Sequence, residues 1–459
     1  MVRLNLVVLR GVATTLEALL SDASTRRAAV AVLGKLADQH RGDEVFLRAV
    51  QNVEPLVRAI QEPEYEYDCV AIARLLGWGG ADKAAALVPV RTLEQPCLVT
   101  SMAYFRQRDE LASATCDGSV VVWGSPHPST GEVRPATTVE LPQRCVPVAM
   151  DGASRGNYLV VAGMPFPASS ISAIAGENSA TGSSGNSNSS SNNNSKRRSL
   201  SSGTSKGPLL RLLTCNESTG AWTNGETITR KENVTLTAVA ALANLVVCTA
   251  ESAPSERSPE TGLQHDLVLL NGHTTQTMRR FERVHDDYTT IVRVGEDSDH
   301  ALFTGSRDCV VKVWDTRSSS NRPSLSTAAA VSAATTAGMG ASLPRVENAH
   351  TDTITAVVPH RKALLTASLD GSLLVWDARR MNAPVHNVHM SAGILDVAPV
   401  DGAHVAVSTA RGLYLLSLET LNTLDAVPNV THTQLKASGD GSVIFAAGGN
   451  GIGVYALRK

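Results

Sequence analysis

Aromatic side chains are scarce in this chain: Phe, Trp and Tyr make up 4% of its 459 residues, and charged residues only 18%. What is left is small aliphatics with Ser, Thr and Gly, a supply that suits short packed strands better than long surface helices. Charge of one sign is lacking as well. Lys and Arg number 41 and Asp and Glu 43, a formal charge of −2, so no chain-wide cationic field exists to condense on nucleic acid or anionic lipid. No run of 18 or more uninterrupted apolar residues occurs, which leaves no segment for an ordinary transmembrane helix. The seven cysteines (Cys69, Cys97, Cys116, Cys145, Cys215, Cys248 and Cys309) are scattered, odd in number and without a CxxC. That excludes a zinc ribbon and argues against a secreted disulfide framework. A Walker loop, an HExxH, a nucleophile elbow and a dinucleotide fingerprint are all missing. The glycine-rich Gly448-Gly449-Asn450-Gly451 joins two strand-like runs with no helix after it, so it reads as a hairpin turn. Catalysis, metal and cofactor are accordingly not expected.

With 43% hydrophobic residues, the length is enough for a sizeable core and suggests about three domains at roughly 150 residues each. The opening MVRLNLVVLRGVATTLEALL has two arginines and no acid before Glu17, a faint echo of a presequence. Leu9, Val12, Leu16, Leu19 and Leu20 nevertheless recur at helical spacing, so the segment reads as folded domain. An intracellular, cytoplasmic location is expected, with the nucleus left open. GVATTLEALLSDASTRRAAVAVLGKL (11–36) aligns with NVEPLVRAIQEPEYEYDCVAIARLL (52–76) at an offset of 41, setting Val12 on Val53, Leu16 on Val57, Leu19 on Ile60 and Val30 on Ala71. Each copy reads as an amphipathic helix, a polar break, then a second helix rich in Ala and Val. The length and the small-residue second helix resemble armadillo repeats, an expectation for residues 1–85. Two such units bury little alone and must lean on a neighbour.

A sharper signal recurs three times. TCDGSVVVWGSP (115–126), SRDCVVKVWDTR (306–317) and SLDGSLLVWDAR (368–379) share a Ser or Thr, an Asp two residues on, and a Trp six residues after that. The residues between Asp and Trp read as a buried strand bounded by a tight turn. Upstream of two copies stands a His ahead of another strand, His285 in VHDDYTTIVRV and His350 in AHTDTITAVV. This pattern resembles the WD-repeat family. The rest of 86–459 divides into strand quartets, with THTQLKA, SVIFAAG and IGVYAL supplying only three strands at the end. ALVPVRTLEQ (86–95) is available as the missing fourth. The expected fold is therefore mainly β, a seven-bladed propeller closed by overlap of its two ends, preceded by the short helical domain. A six-bladed ring would require discarding the second or third quartet.

The resemblance implies a hydrogen-bonded tetrad within a blade: His285, Ser306, Asp308 and Trp314 in one unit, His350, Ser368, Asp370 and Trp376 in the next. Thr115, Asp117 and Trp123 form a third set without its His, since Gln95-Pro96 stands there. A hydrolase triad is the competing reading. It is disfavoured because the trio repeats in separate units, and because each Asp lies two residues from its Ser. Arg411 and Asn450 replace the Asp in the sixth and seventh units, so those blades should be softer or held by other contacts. Residues 166–207, rich in Ser, Asn and Gly, are expected to be a disordered insert between the second and third strands of unit two. Residues 251–266 interrupt unit three at the equivalent place, on the same face. A Ser/Ala-rich loop, 318–343, follows the third strand of unit four and is expected on the opposite face.

A non-catalytic scaffold follows, binding other proteins or peptides on the propeller faces and the helical groove, with no small-molecule substrate. Nucleic acid finds little support, because Glu282, Asp286 and Asp287 lie among and beside Arg279, Arg280 and Arg283. Asp315 with Arg317, and Asp377 with Arg379, match the WDxR ending by which WD-repeat substrate receptors dock on the adaptor of cullin-type ubiquitin ligases. That is one alternative. The order of helical repeats before a propeller also resembles regulatory subunits of kinase complexes, a second alternative.

Overall fold

The computed structural model describes most of residues 6–39 and 85–458, and isolated positions between 46 and 72; within the larger span, 125–132, 166–208, 253–262, 328–348 and several shorter stretches fall outside the description. The described residues contain two α-helices, Leu6–Ser21 and Arg26–Gln39. The break between them falls at the polar Ser21-Asp22, where Asp22 accepts the Ser24 amide through Oδ1 (3.0 Å) and its carbonyl accepts the Arg26 amide (3.0 Å). Leu16, Leu20, Val30 and Leu33 pack with Phe46, Val53, Val57 and Ile72 in one buried cluster. Leu16 and Val57, matched at the offset of 41, thus share a core. Most of the second expected repeat lies outside the described residues, so an armadillo-like stack remains an expectation.

Seven four-stranded antiparallel sheets follow. Every strand quartet expected from the sequence forms one of them, and seven rather than six is the number of blades. The inner strands run Val99–Phe105, Cys145–Gly152, Val234–Leu242, Thr289–Val294, Ile354–His360, Ile394–Pro399 and Gln434–Ala437. In the first six of them the register slips near the start. A bulge of this kind adds twist at the place where each sheet must turn into the ring.

The seventh blade is closed from the other end of the propeller. Ala86–Glu94 pairs antiparallel with Gly451–Arg458, from Ala86 opposite Arg458 to Glu94 opposite Gly451. A register slip between Pro89 and Arg91 splits its side chains between two cores. Leu87 packs with Leu413, Leu415 and Leu435 between blades six and seven, whereas Leu93 packs with Val99, Leu111 and Phe445 between blades seven and one. Asp425, on the outer strand of blade six, also accepts the Leu87 amide at 2.7 Å.

Polar side chains of the inner strands tie neighbouring blades at five junctions. Thr290 donates to the Ile354 carbonyl (2.6 Å) and Thr355 to the Ile394 carbonyl (2.8 Å). Asp396 accepts the Leu435 amide (2.7 Å) and Asp151 the Ala241 amide (3.0 Å). Gln434 accepts the Met102 amide (2.7 Å) and donates to the Thr100 carbonyl (2.9 Å), joining the last blade to the first.

One expectation needs correcting. The fourth strand of blade four is Leu325–Ser326, paired with Val313 and Lys312, and it lies inside the stretch read as a loop from 318. The signal was weak because the strand has only two residues. Residues 328–348 therefore follow a fourth strand, not a third. In an antiparallel quartet such a connection leaves from the same face as one between strands two and three, so Thr327 shares a face with Pro165 and Ser252 rather than opposing them.

Removing the Asp425 carboxylate strands the buried Leu87 amide. Asp425→Ala is expected to cost about 1–3 kcal/mol in urea-induced unfolding; a loss under about 0.5 kcal/mol would show that the closing strand is held without it.

Candidate interaction site

In each marked unit the Asp sits in the tight turn joining strands two and three. The turn needs one residue with left-handed backbone: Gly118 (φ 91°), Gly371 (φ 85°) and, in blade four, Cys309 (φ 65°). Beneath the turn of blade four a chain of hydrogen bonds crosses the sheet. Trp314 Nε1 donates to Thr304 Oγ1 at 3.0 Å, and Thr304 Oγ1 lies 2.8 Å from His285 Nε2. His285 Nδ1 lies 2.8 Å from Asp308 Oδ2, which also accepts the Asp286 amide at 3.1 Å. Burial pushes His285 below the ordinary imidazole value, with the Asp308 hydrogen bond opposing it. A neutral imidazole fits this chain, donating from Nδ1 to the carboxylate and accepting the threonine proton at Nε2. Burial alone would raise the Asp308 carboxyl, but the bond from His285 and the amides of Val310 and Asp286 outweigh it and hold the group low.

The hydroxyl between His and Trp is thus Thr304, not Ser306. Ser306 donates instead to the Asp287 carbonyl (3.0 Å) and accepts the Asp308 amide (3.1 Å), bracing the turn. Blade five repeats this arrangement. Trp376 Nε1 donates to Thr366 Oγ1 (2.8 Å), which is 2.7 Å from His350 Nε2, while Ser368 donates to the Asp352 carbonyl (3.0 Å). Here Ser372 stands where blade four has Val310, and its hydroxyl comes between His350 Nδ1 (2.7 Å) and Asp370, leaving His350 and Asp370 3.6 Å apart. Burial raises the Asp370 carboxyl and is overcome by His350, Ser372 and the Thr351 amide, which hold it far below the usual carboxylate range.

In blade one, Trp123 Nε1 donates to Ser113 Oγ (3.0 Å), and the buried Gln95 donates to the same oxygen at 3.3 Å. Gln95 fills the missing histidine's place. Thr115 donates to Asp117 Oδ1 (2.7 Å). Ser113, Thr304 and Thr366 were all visible as a second hydroxyl two residues before the recognised Ser or Thr. In blade six, Thr409 accepts the amides of Arg411 (3.1 Å) and Gly412 (3.2 Å), the first of them as Ser306 and Ser368 do in their own turns. Asn450 lies outside the described residues, but blade seven has a shorter link that sequence reading missed. His432 Nε2 meets the Tyr455 hydroxyl at 2.8 Å, and His432 Nδ1 is buried with no hydrogen-bond partner among the described residues.

The WDxR arginines sit on the face reached by the ends of the third strands, opposite the turns. Arg317 is 66% exposed and pairs with Asp315 (3.0 Å); the Arg379 side chain is also exposed, its amide bonded to Asp377 at 2.9 Å. Arg279 binds the carbonyls of Thr316 (3.1 Å), Ser318 and Ser320 (2.8 Å) and lies 4.1 Å over the Phe281 ring, while Arg280 pairs with buried Asp266. Arg279 is thus occupied in shaping this rim, and Arg280 in an ion pair within its own blade.

Burial pushes His432 down to about 4. Between pH 6.5 and 4 the unfolded chain then binds the extra proton, so this residue's contribution is full above pH 6.5 and declines by roughly 1.4 kcal/mol per pH unit toward pH 4. Urea titrations of His432→Phe should lack that segment of the acid limb; an unchanged limb would contradict the assignment. Thr366→Val is expected to destabilise by about 1–3 kcal/mol because two buried partners lose their bond. Asp370→Ala should cost about 2–4 kcal/mol by the same measurement, and losses below about half a kcal/mol would show that these networks are incidental.

Comparison with known families matches three segments, 87–124, 270–315 and 342–377, to the WD domain, G-beta repeat. Each match ends with or just beyond a third strand, and the first begins inside the closing strand of the seventh blade. Whole-chain comparison with curated proteins returns no match. The chain carries WD40 repeats, built into a seven-bladed β-propeller.

Proposed function

We propose that this protein is a non-catalytic scaffold that holds other proteins or peptides against the faces of its propeller. The observation that carries the reading is the fate of the would-be catalytic groups. Ser306 and Ser368 donate their hydroxyls to backbone carbonyls, and both histidines face a Thr already bonded to Trp. Such closed chains fix the turn above them and make a stiff mount for variable loops. WD40 propellers as a kind suit that role. Cross-linking with mass spectrometry on the affinity-purified full chain tests it. A stoichiometric protein partner cross-linked to either face is the expected result; a chain recovered alone, or one that turns over a small molecule, would overturn it.

A second reading rests on the placement of Arg317 and Arg379, exposed on one face in adjacent blades. Substrate receptors of cullin-type ubiquitin ligases dock through this ending, and an exposed Arg is a fitting anchor. Arg317→Ala with Arg379→Ala should abolish co-purification of the ligase adaptor; adaptor retained by the double variant would remove this reading.

A further inference from the structure

One level of the inner strands carries charge. Counted from the register slip in each inner strand, the third residue is Ala103, Asp151, Ala241, Arg293, Val358 and Ala398 in blades one to six. Blade seven has Lys436 at that rung, opposite Phe445 as Arg293 is opposite Phe303. Four of the seven places hold Ala or Val, so charge is not what the position itself demands. Blades four and seven are as far apart as the ring allows, and Arg293 and Lys436 both line the cavity at its centre, about 190 Å³, together with Asp396.

Among the described residues, no hydrogen bond or ion pair reaches either cation. Burial lowers the Lys436 ammonium from its ordinary value, and Arg293 lowers it further against the opposing pull of Asp396 and Asp151. Those two acids are the natural counter-charges, but both are tethered. Asp396 accepts the amides of Val397 (2.8 Å) and Leu435 (2.7 Å), and Asp151 accepts that of Ala241 (3.0 Å), in each case bracing a blade junction. Swinging either onto a cation would break a junction. Two half-buried cations with no partner among the described residues face one polar cavity, and a ligand that bonds to both supplies charge-assisted bonds that neither has. The space holds a few waters or one small anion. A guanidinium fork and an ammonium match the oxygens of a tetrahedral oxyanion better than water does, through charge-assisted bonds.

We propose that the central channel is a site for one tetrahedral oxyanion, held between Lys436 on blade seven and Arg293 on blade four. Titration calorimetry of the full chain with inorganic phosphate, in chloride buffer at constant ionic strength, tests this. The expected result is saturable binding of one phosphate per chain, with Lys436→Met and Arg293→Met each weakening it at least about tenfold while unfolding cooperatively. Phosphate should also raise the wild-type melting temperature in proportion to occupancy, and not that of the Met variants. Should a Met variant fail to fold, Lys436→Arg and Arg293→Lys keep the charge and must still bind. No saturable phosphate heat in the wild type, or equal affinity in folded variants lacking one cation, would overturn the proposal.

Discussion

A ring of sheets depends on its last junction. Each blade covers its faces with its neighbours, so an open ring would expose two apolar sheet faces and an unpaired edge. Ala86–Glu94 prevents this by joining the seventh sheet, with Leu87 in the core on one side and Leu93 in the core on the other. The WD-repeat matches show why the strand is free to do so. The sequence unit is out of step with the structural unit, beginning near an outer strand and ending with a third strand, so the first repeat has a strand to lend to the last blade. Polar ties at the inner strands, including Gln434 to Met102 and Thr100, add direction to a junction that burial alone would leave free to slide.

The buried networks show how one architectural task is met with different residues. The tryptophan ring nitrogen always finds a hydroxyl, supplied by Ser113, Thr304 or Thr366, and a second group completes that hydroxyl: Gln95, His285 or His350. The carboxylate works one layer out, holding turn amides, and it reaches the histidine directly only where a valine replaces serine beside it. Blade six keeps only the hydroxyl's part of the turn, through Thr409, and blade seven substitutes a His432–Tyr455 contact in which one imidazole nitrogen has no partner among the described residues.

Much of this was readable from the chain because propeller strands are short, regular and bounded by turns. All seven blades and the lent strand could be placed from alternation and turn residues. What escaped were features without a local signature. Leu325–Ser326 is too short to show a period, so nothing in the sequence marks it as a strand rather than a loop. Ser306 and Ser368 were named for a bridge that Thr304 and Thr366 make, because a strand's alternation puts residues two apart on one face and sequence spacing alone does not choose between them. The charged rung of Asp151, Arg293 and Lys436 had no motif, since its members come together only when three distant strands reach one axis. Of the helical segment, the break at Ser21-Asp22 was legible from its polar residues, and Leu16 and Val57 lie in one buried cluster.

A stiff disc with two differently furnished faces is a platform for assembly. One face carries the turns and the departure points at Pro165, Ser252 and Thr327, and the other carries Arg317 and Arg379. Everything proposed for these faces presumes that the ring is closed through residues 86–94. Native-state hydrogen exchange of the full chain reads this directly. If closure is as described, those amides of 86–94 that bond to Gly451–Arg458 exchange only with global unfolding, at the same free energy as those of Val443–Gly448. Rapid exchange across 86–94, with the neighbouring strands still protected, would show a ring that stands without its clasp and contradict the account.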